Sequence, residues 1–97
     1  MSSTSSATLA PDQISSRLQQ LQGWTVEDGK RLVKPFRFKN FVQAVDFVNG
    51  ITRVAEAEGH HPDLYVRWGE VVVYLTTHSA GGLTEKDFVL ASKIEKL

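Results

Sequence analysis

The chain of 97 residues contains no cysteine. Disulfides, thiolate nucleophiles and cysteine-held zinc are thereby excluded. Nor is there an excess of either charge, since eleven Lys and Arg balance eleven Asp and Glu. A general nucleic-acid binder needs a basic footprint to neutralise phosphates, so direct contact with nucleic acid is not expected. No apolar run approaches the ~20 residues that cross a bilayer, and the expectation is a soluble, cytoplasmic protein with no membrane partner. The opening MSSTSSATL lacks the basic start and apolar stretch of a secretory signal. A transit peptide would be rich in Arg, whereas the first Arg is Arg17. No internal repeat and no block of like charge interrupts the chain.

What is present reads as one small domain. At 41% apolar and 23% charged residues the composition is that of a globular protein, which rules out wholesale disorder. Residues 1–9 are almost all Ser, Thr or small, and are expected to form a disordered tail before a folded domain over residues 10–97. Pro11 suits a first helical turn; Ile14, Leu18 and Leu21 recur at helical spacing, with Gly23 placed as the terminator. Residues 24–26, a polar turn at 27–29 and residues 31–36 read as a hairpin, with Pro35 suggesting an edge or a strand end. Asn40 and Gln43 have the spacing of a helix start. A long helix to about Glu58 follows, carrying Phe41, Val45, Val48, Thr52 and Ala55 in one stripe widened by Val42, Ile51 and Val54. Gly50 inside that helix suggests a close packing contact.

After Pro62 the hydrophobic period changes from about 3.6 to 2. Residues 64–68 alternate, Gly69-Glu70 is read as a tight turn, and residues 71–77 return as a β-branched strand. The unbroken apolar run predicts a central strand covered on both faces, or one face serving a subunit interface. Thr84 and Asp87 have capping-box spacing before a last helix with Phe88, Ala91 and Ile94 as its stripe. The order is α-β-β-α-β-β-α, an α+β domain with an antiparallel sheet.

All three histidines lie within residues 60–78. A turn at Gly69-Glu70 would pair Tyr65 with about Tyr74 and set residues 61 and 78 opposite each other. His60, His61 and His78 would then share one end of the sheet. Glu56, one helical turn before His60, and Asp87, just past the glycine loop, can reach the same corner. Imidazoles beside carboxylates are what proton transfer near neutral pH requires. With Cys absent and no strand–nucleophile–helix elbow visible, general acid–base chemistry without a covalent intermediate is the natural reading.

Each feature also has a plainer explanation. His60-His61-Pro62 serves equally as a helix-to-strand connection. Zinc is disfavoured, because adjacent histidines rarely reach one metal and no His-Glu-x-x-His pattern exists. The capping box alone accounts for Asp87. Thr76 and Thr77 read as ordinary strand residues. Tyr65, Trp68 and Tyr74 suit core or interface packing better than stacking on a planar ligand. Arg53 and Lys86 suit a solvated face better than an anion site.

Two segments together resemble the pterin-4a-carbinolamine dehydratases. One is Glu56-Ala-Glu-Gly-His60-His61-Pro62-Asp63; the other, after a hairpin, is Leu75-Thr-Thr-His78-Ser-Ala-Gly-Gly82-Leu83-Thr84-Glu-Lys-Asp87. Leu21-Gln-Gly-Trp24 and the Phe36-x-Phe-x-x-Phe41 pattern add to the likeness, which covers nearly all of the domain. The resemblance implies a four-stranded antiparallel sheet with helices packed on one face, assembled into homodimers or homotetramers. It further implies loss of water from a 4a-hydroxytetrahydropterin to give a quinonoid dihydropterin, in the recycling of the pterin used by aromatic amino acid hydroxylases. No metal and no cofactor is implied; the pterin is the substrate. By motif, His60 and His78 would transfer protons and His61 would position the pterin. Glu56 would orient an imidazole, and Asp87 would support the His78 side or contact the pterin. Gly59 stands where some members carry an acid, and Lys86 where an arginine is often found. Certain relatives bind a homeodomain transcription factor or assist Rubisco assembly, so a protein-binding module with residues 71–75 as its interface is the competing expectation.

Overall fold

The computed structural model describes residues 8–97. The tail expected over residues 1–9 therefore lies outside the described residues as far as residue 7. Its last residue is tied to the domain: the Leu9 N–H donates to the Leu83 carbonyl at 2.9 Å, and the Leu9 side chain packs against the core.

The elements follow in the order α1 (Pro11–Leu18), β1 (Thr25–Glu27), β2 (Arg31–Arg37), α2 (Phe41–Glu58), β3 (Asp63–Arg67), β4 (Glu70–Leu75) and α3 (Glu85–Glu95), with a short 3-10 turn at His78–Ala80 before α3. This is the expected α-β-β-α-β-β-α order. The four strands form one sheet in the order β1-β2-β4-β3, antiparallel throughout. β4 is thus a central strand. Its residues alternate: Val71, Val73 and Leu75 are fully buried, while Val72 and Tyr74 on the other face are half-buried. Leu32 of β2 joins the buried face, and Ala44, Ile51, Phe88, Leu90, Ala91 and Ile94 from α2 and α3 close the core over it. The apolar run 71–75 is therefore that of a central strand, with alternate residues in the core and Val72 and Tyr74 half-buried on the other face.

Several local expectations shift. The first helix stops at Leu18 rather than running through Leu21, although Ile14, Leu18 and Leu21 all still pack against the core. Pro35 stands in an internal strand; β1 pairs with β2 only as far as Val33, so at Pro35 the strand has a neighbour on one side. That is where a missing N–H is tolerated. α2 begins as expected, with Asn40 Oδ1 accepting from the Gln43 N–H at 2.9 Å. The Gln43 side chain accepts from Lys39 N–H instead of closing the box on Asn40.

The buried face of α2 is also rotated from the expected stripe. Ala44, Gly50, Ile51 and Ala55 face inward, whereas Phe41 and Val42 are 50% and 67% exposed. The helix is apolar around more than half its circumference, so periodicity did not decide which part meets the sheet. Gly50 does mark a close contact: a Cβ there would meet the Leu97 side chain at 3.3 Å.

The most consequential shift is in the second hairpin. Arg67 pairs with Glu70 and Tyr65 with Val72, so the turn is Trp68-Gly69 rather than Gly69-Glu70. Gly69 is required there, because a Cβ would stand 2.9 Å from the Phe38 carbonyl oxygen. The register moves by two residues, an even number, so each side chain keeps its face while its partner changes. Asp63, not His61, is brought level with the end of β4. Tyr65 and Trp68 are correspondingly exposed and lie outside the core.

Candidate active site

The site begins where α2 ends. Gly59 takes the left-handed conformation (φ 63°), terminating the helix, and the His60 N–H returns to the Ala55 carbonyl at 3.2 Å. This folds the His60 ring back against α3. Its Nε2 lies 2.7 Å from Oδ1 of Asp87, whose side chain is fully buried at the first turn of α3. The imidazole itself is 12% exposed.

Asp87 has its other oxygen filled as well. Oδ2 accepts the Thr84 N–H at 3.0 Å and the Thr77 hydroxyl at 2.8 Å, and Thr77 Oγ1 lies 2.8 Å from Thr84 Oγ1. A carboxylate only accepts, so the single Thr77 proton points to Asp87 and the Thr84 hydroxyl proton must point to Thr77. The same logic makes His60 Nε2 the protonated nitrogen facing Asp87, and leaves Nδ1 as the acceptor of the neutral ring. The capping expectation for Asp87 is thus met, and the same side chain also holds His60.

The other two histidines stand in water. His61 Nε2 is 2.5 Å from Glu56 Oε2, with both side chains more than half exposed. They border a hollow of about 180 Å³ with Ile51, Ala55, Pro62 and Leu64. His78, 81% exposed, lies with Nε2 3.8 Å from Asp63 Oδ2. These two border a different cavity of about 320 Å³, whose opposite wall is the β1–β2 turn with Asp28, Lys30 and Arg31. The Thr76 hydroxyl ties the walls together by donating to the Lys30 carbonyl at 2.7 Å.

Every predicted site residue is therefore beside another ionisable group, but the partnerships differ from those anticipated. Glu56 meets His61 rather than His60, and Asp87 meets His60 rather than the His78 side. His61 and His78 do not face each other across the hairpin, because the observed register extends two residues differently and His78 lies in the 3-10 turn beyond β4. What links the His60 and His78 regions is Thr77, next to His78 in the chain and bonded to Asp87. Among the described residues no three His, Asp or Glu side chains converge as a metal shell. Sequence reasoning passed over Thr77, Thr84 as its partner, and Asp63. The strand expected over residues 71–77 ends at Leu75, and Thr77 lies beyond it in an isolated bridge with Gly82; nothing local distinguishes its buried hydroxyl from an exposed one.

The fold and the site together define a class: a small α+β domain in which one imidazole–carboxylate pair, His60 with Asp87, is held at the buried start of α3, and two more lie at the surface. The comparisons with known proteins narrow it. Residues 7–97 match the family model described as pterin 4 alpha carbinolamine dehydratase. A curated protein of Sulfolobus acidocaldarius, provisionally named pterin-4-alpha-carbinolamine dehydratase, is 49% identical over 92% of this chain and 97% of its own length. One of Chloroflexus aggregans with the same provisional name is 45% identical over 94% and 97%. The chain belongs to the pterin-4-alpha-carbinolamine dehydratase family.

Solved structures share the fold. A Brucella melitensis protein described as a transcriptional coactivator/pterin dehydratase superposes with a TM-score of 0.87 at 33% identity, covering 92% of this chain and 96% of that one. A pterin dehydratase-like protein described as a RuBisCO assembly factor in the alpha-carboxysome shares the fold, with a TM-score of 0.65 at 21% identity over 77% and 88%.

Proposed function

We propose that this protein dehydrates a 4a-hydroxytetrahydropterin to the quinonoid dihydropterin by general acid–base catalysis, in pterin recycling. A proton reaches the departing oxygen, the C4a–O bond breaks, water leaves, and a ring nitrogen of the pterin gives up a proton. Imidazoles, with an ordinary pKa of about 6.5, suit both transfers. His60 and His78 are the transferring groups in this reading, and His61 with Glu56 holds the pterin. Asp87 is fully buried. It acts through His60 rather than by touching substrate. The pterin is substrate, with no cofactor required. The observation that carries the reading is the His60–Asp87 bond at 2.7 Å, in which one oxygen of a buried carboxylate faces an imidazole.

The same reading takes the molecule as a cytoplasmic homodimer or homotetramer, for which exposed Phe41, Val42, Tyr65 and Trp68 supply apolar surface. That surface also favours the second reading, a protein-binding module on the same fold. Stopped-flow dehydration of freshly generated 4a-hydroxytetrahydropterin separates the two. Acceleration by the parent that collapses in folded His60→Ala and His78→Ala variants supports the enzyme. A folded parent that gives no acceleration over buffer sinks it and favours the binding module.

A further inference from the structure

We infer that Thr77 is a positioning residue of the site, and that its hydroxyl, aimed by Thr84, makes Nδ1 the atom through which His60 exchanges protons. The inference rests on the reading of His60 as a proton-transfer group. The four side chains form donor bonds that converge on one carboxylate: Thr84 O–H to Thr77, Thr77 O–H to Asp87 Oδ2, and His60 Nε2–H to Asp87 Oδ1, at 2.8, 2.8 and 2.7 Å. Thr77, Thr84 and Asp87 are each at most 4% exposed, so no solvent competes for these bonds. With Oδ2 filled by Thr77 and the Thr84 N–H, Oδ1 is the oxygen left for the ring.

The ring orientation follows from this. Nε2 is the nitrogen set on Asp87, at 2.7 Å, and a ring turned away from the carboxylate would leave a buried acceptor without its donor, a costly exchange in a dry site. Asp87 thus holds its ring nitrogen throughout a catalytic cycle, and the proton passes at Nδ1. Thr77 touches neither His60 nor substrate in this account. Removing its hydroxyl leaves Oδ2 held by the Thr84 N–H alone, lets the carboxylate turn towards the helix start, and loosens the ring. The threonine pair is therefore part of the proton-transfer apparatus.

The test is a long-range proton–nitrogen correlation spectrum of the isotope-labelled protein, which shows which ring nitrogen of His60 is protonated. In the parent at a pH where His60 is neutral, the expected state is the Nε2–H tautomer. Thr77→Val, which keeps the shape and removes the hydroxyl, should yield a mixture of tautomers. It should also lower kcat by about 10- to 100-fold, the range a hydrogen bond to a charged group supports, with KM nearly unchanged. Thr77→Ser should restore both readouts. A parent in the Nδ1–H tautomer would overturn the inference, even if Thr77→Val fails to fold. A folded Thr77→Val with the parental tautomer would also overturn it, as would a Thr77→Ser no better than valine. A parent that shows the relay but accelerates no dehydration would count against the dehydratase reading while supporting the hydrogen-bond chain.

Discussion

Asp87 serves three donors with two oxygens: the His60 ring, the Thr77 hydroxyl and the Thr84 N–H. Asp87→Asn keeps the size but turns one oxygen into a donor, which must confront either the ring N–H or the Thr77 and Thr84 donors. The expected result is a loss of about 1–3 kcal/mol in urea unfolding, the cost of a buried polar mismatch. Dehydration should fall about 100-fold or more in stopped flow, the lower end of what a general acid–base group contributes. His78 presents the opposite case. Its ring and the carboxylate of its partner Asp63 are mostly in water, at an ion-pair distance of 3.8 Å. His78→Ala should therefore leave the unfolding free energy within about 0.5 kcal/mol while lowering activity. Both histidines were recognisable from their motif, yet only burial separates one whose removal disturbs the fold from one whose removal does not.

At the scale of elements, the end of α2 decides where His60 and His61 stand. Gly59 at φ 63° has open space where a Cβ would go, so the obstacle to substitution is backbone conformation alone. Gly59→Ala should cost about 1–2 kcal/mol, the penalty for a left-handed L-residue, and should weaken activity by displacing both imidazoles. Thermal unfolding and the stopped-flow rate check it together. Gly50→Ala is the contrasting change. Its new methyl meets the half-exposed Leu97 side chain closely and the Arg53 guanidinium at an ordinary 3.7 Å, both flexible ends that can yield. The helical cost of glycine, about 1 kcal/mol, should then be partly recovered, and the variant should melt above the parent. The element types were legible from spacing: a capped helix after Asn40, a terminator at Gly59, two hairpins and a capping box at Thr84 and Asp87. The turn at Trp68-Gly69 was not, because both candidate turns preserve the inward and outward alternation and differ only in cross-strand partners.

The whole molecule leaves Phe41, Val42, Tyr65 and Trp68 uncovered on a single chain of 10.8 kDa. If a second copy covers part of that surface, as proposed, sedimentation equilibrium should return a multiple of the chain mass, and Val42→Glu should reduce it without lowering the stability of the protomer. A mass equal to one chain would remove self-association from the account. The sequence by itself determined the order of elements and the family, and singled out the three histidines with Glu56 and Asp87 as candidates, since these depend on local periodicity, caps and a two-part histidine motif. Tertiary structure decided which side of α2 is buried, which register the second hairpin takes and which carboxylate each histidine meets. These depend on packing between segments far apart in the chain. Asp87 reaches His60 across 27 positions because the start of α3 is packed beside the end of α2, a contact that no local pattern encodes.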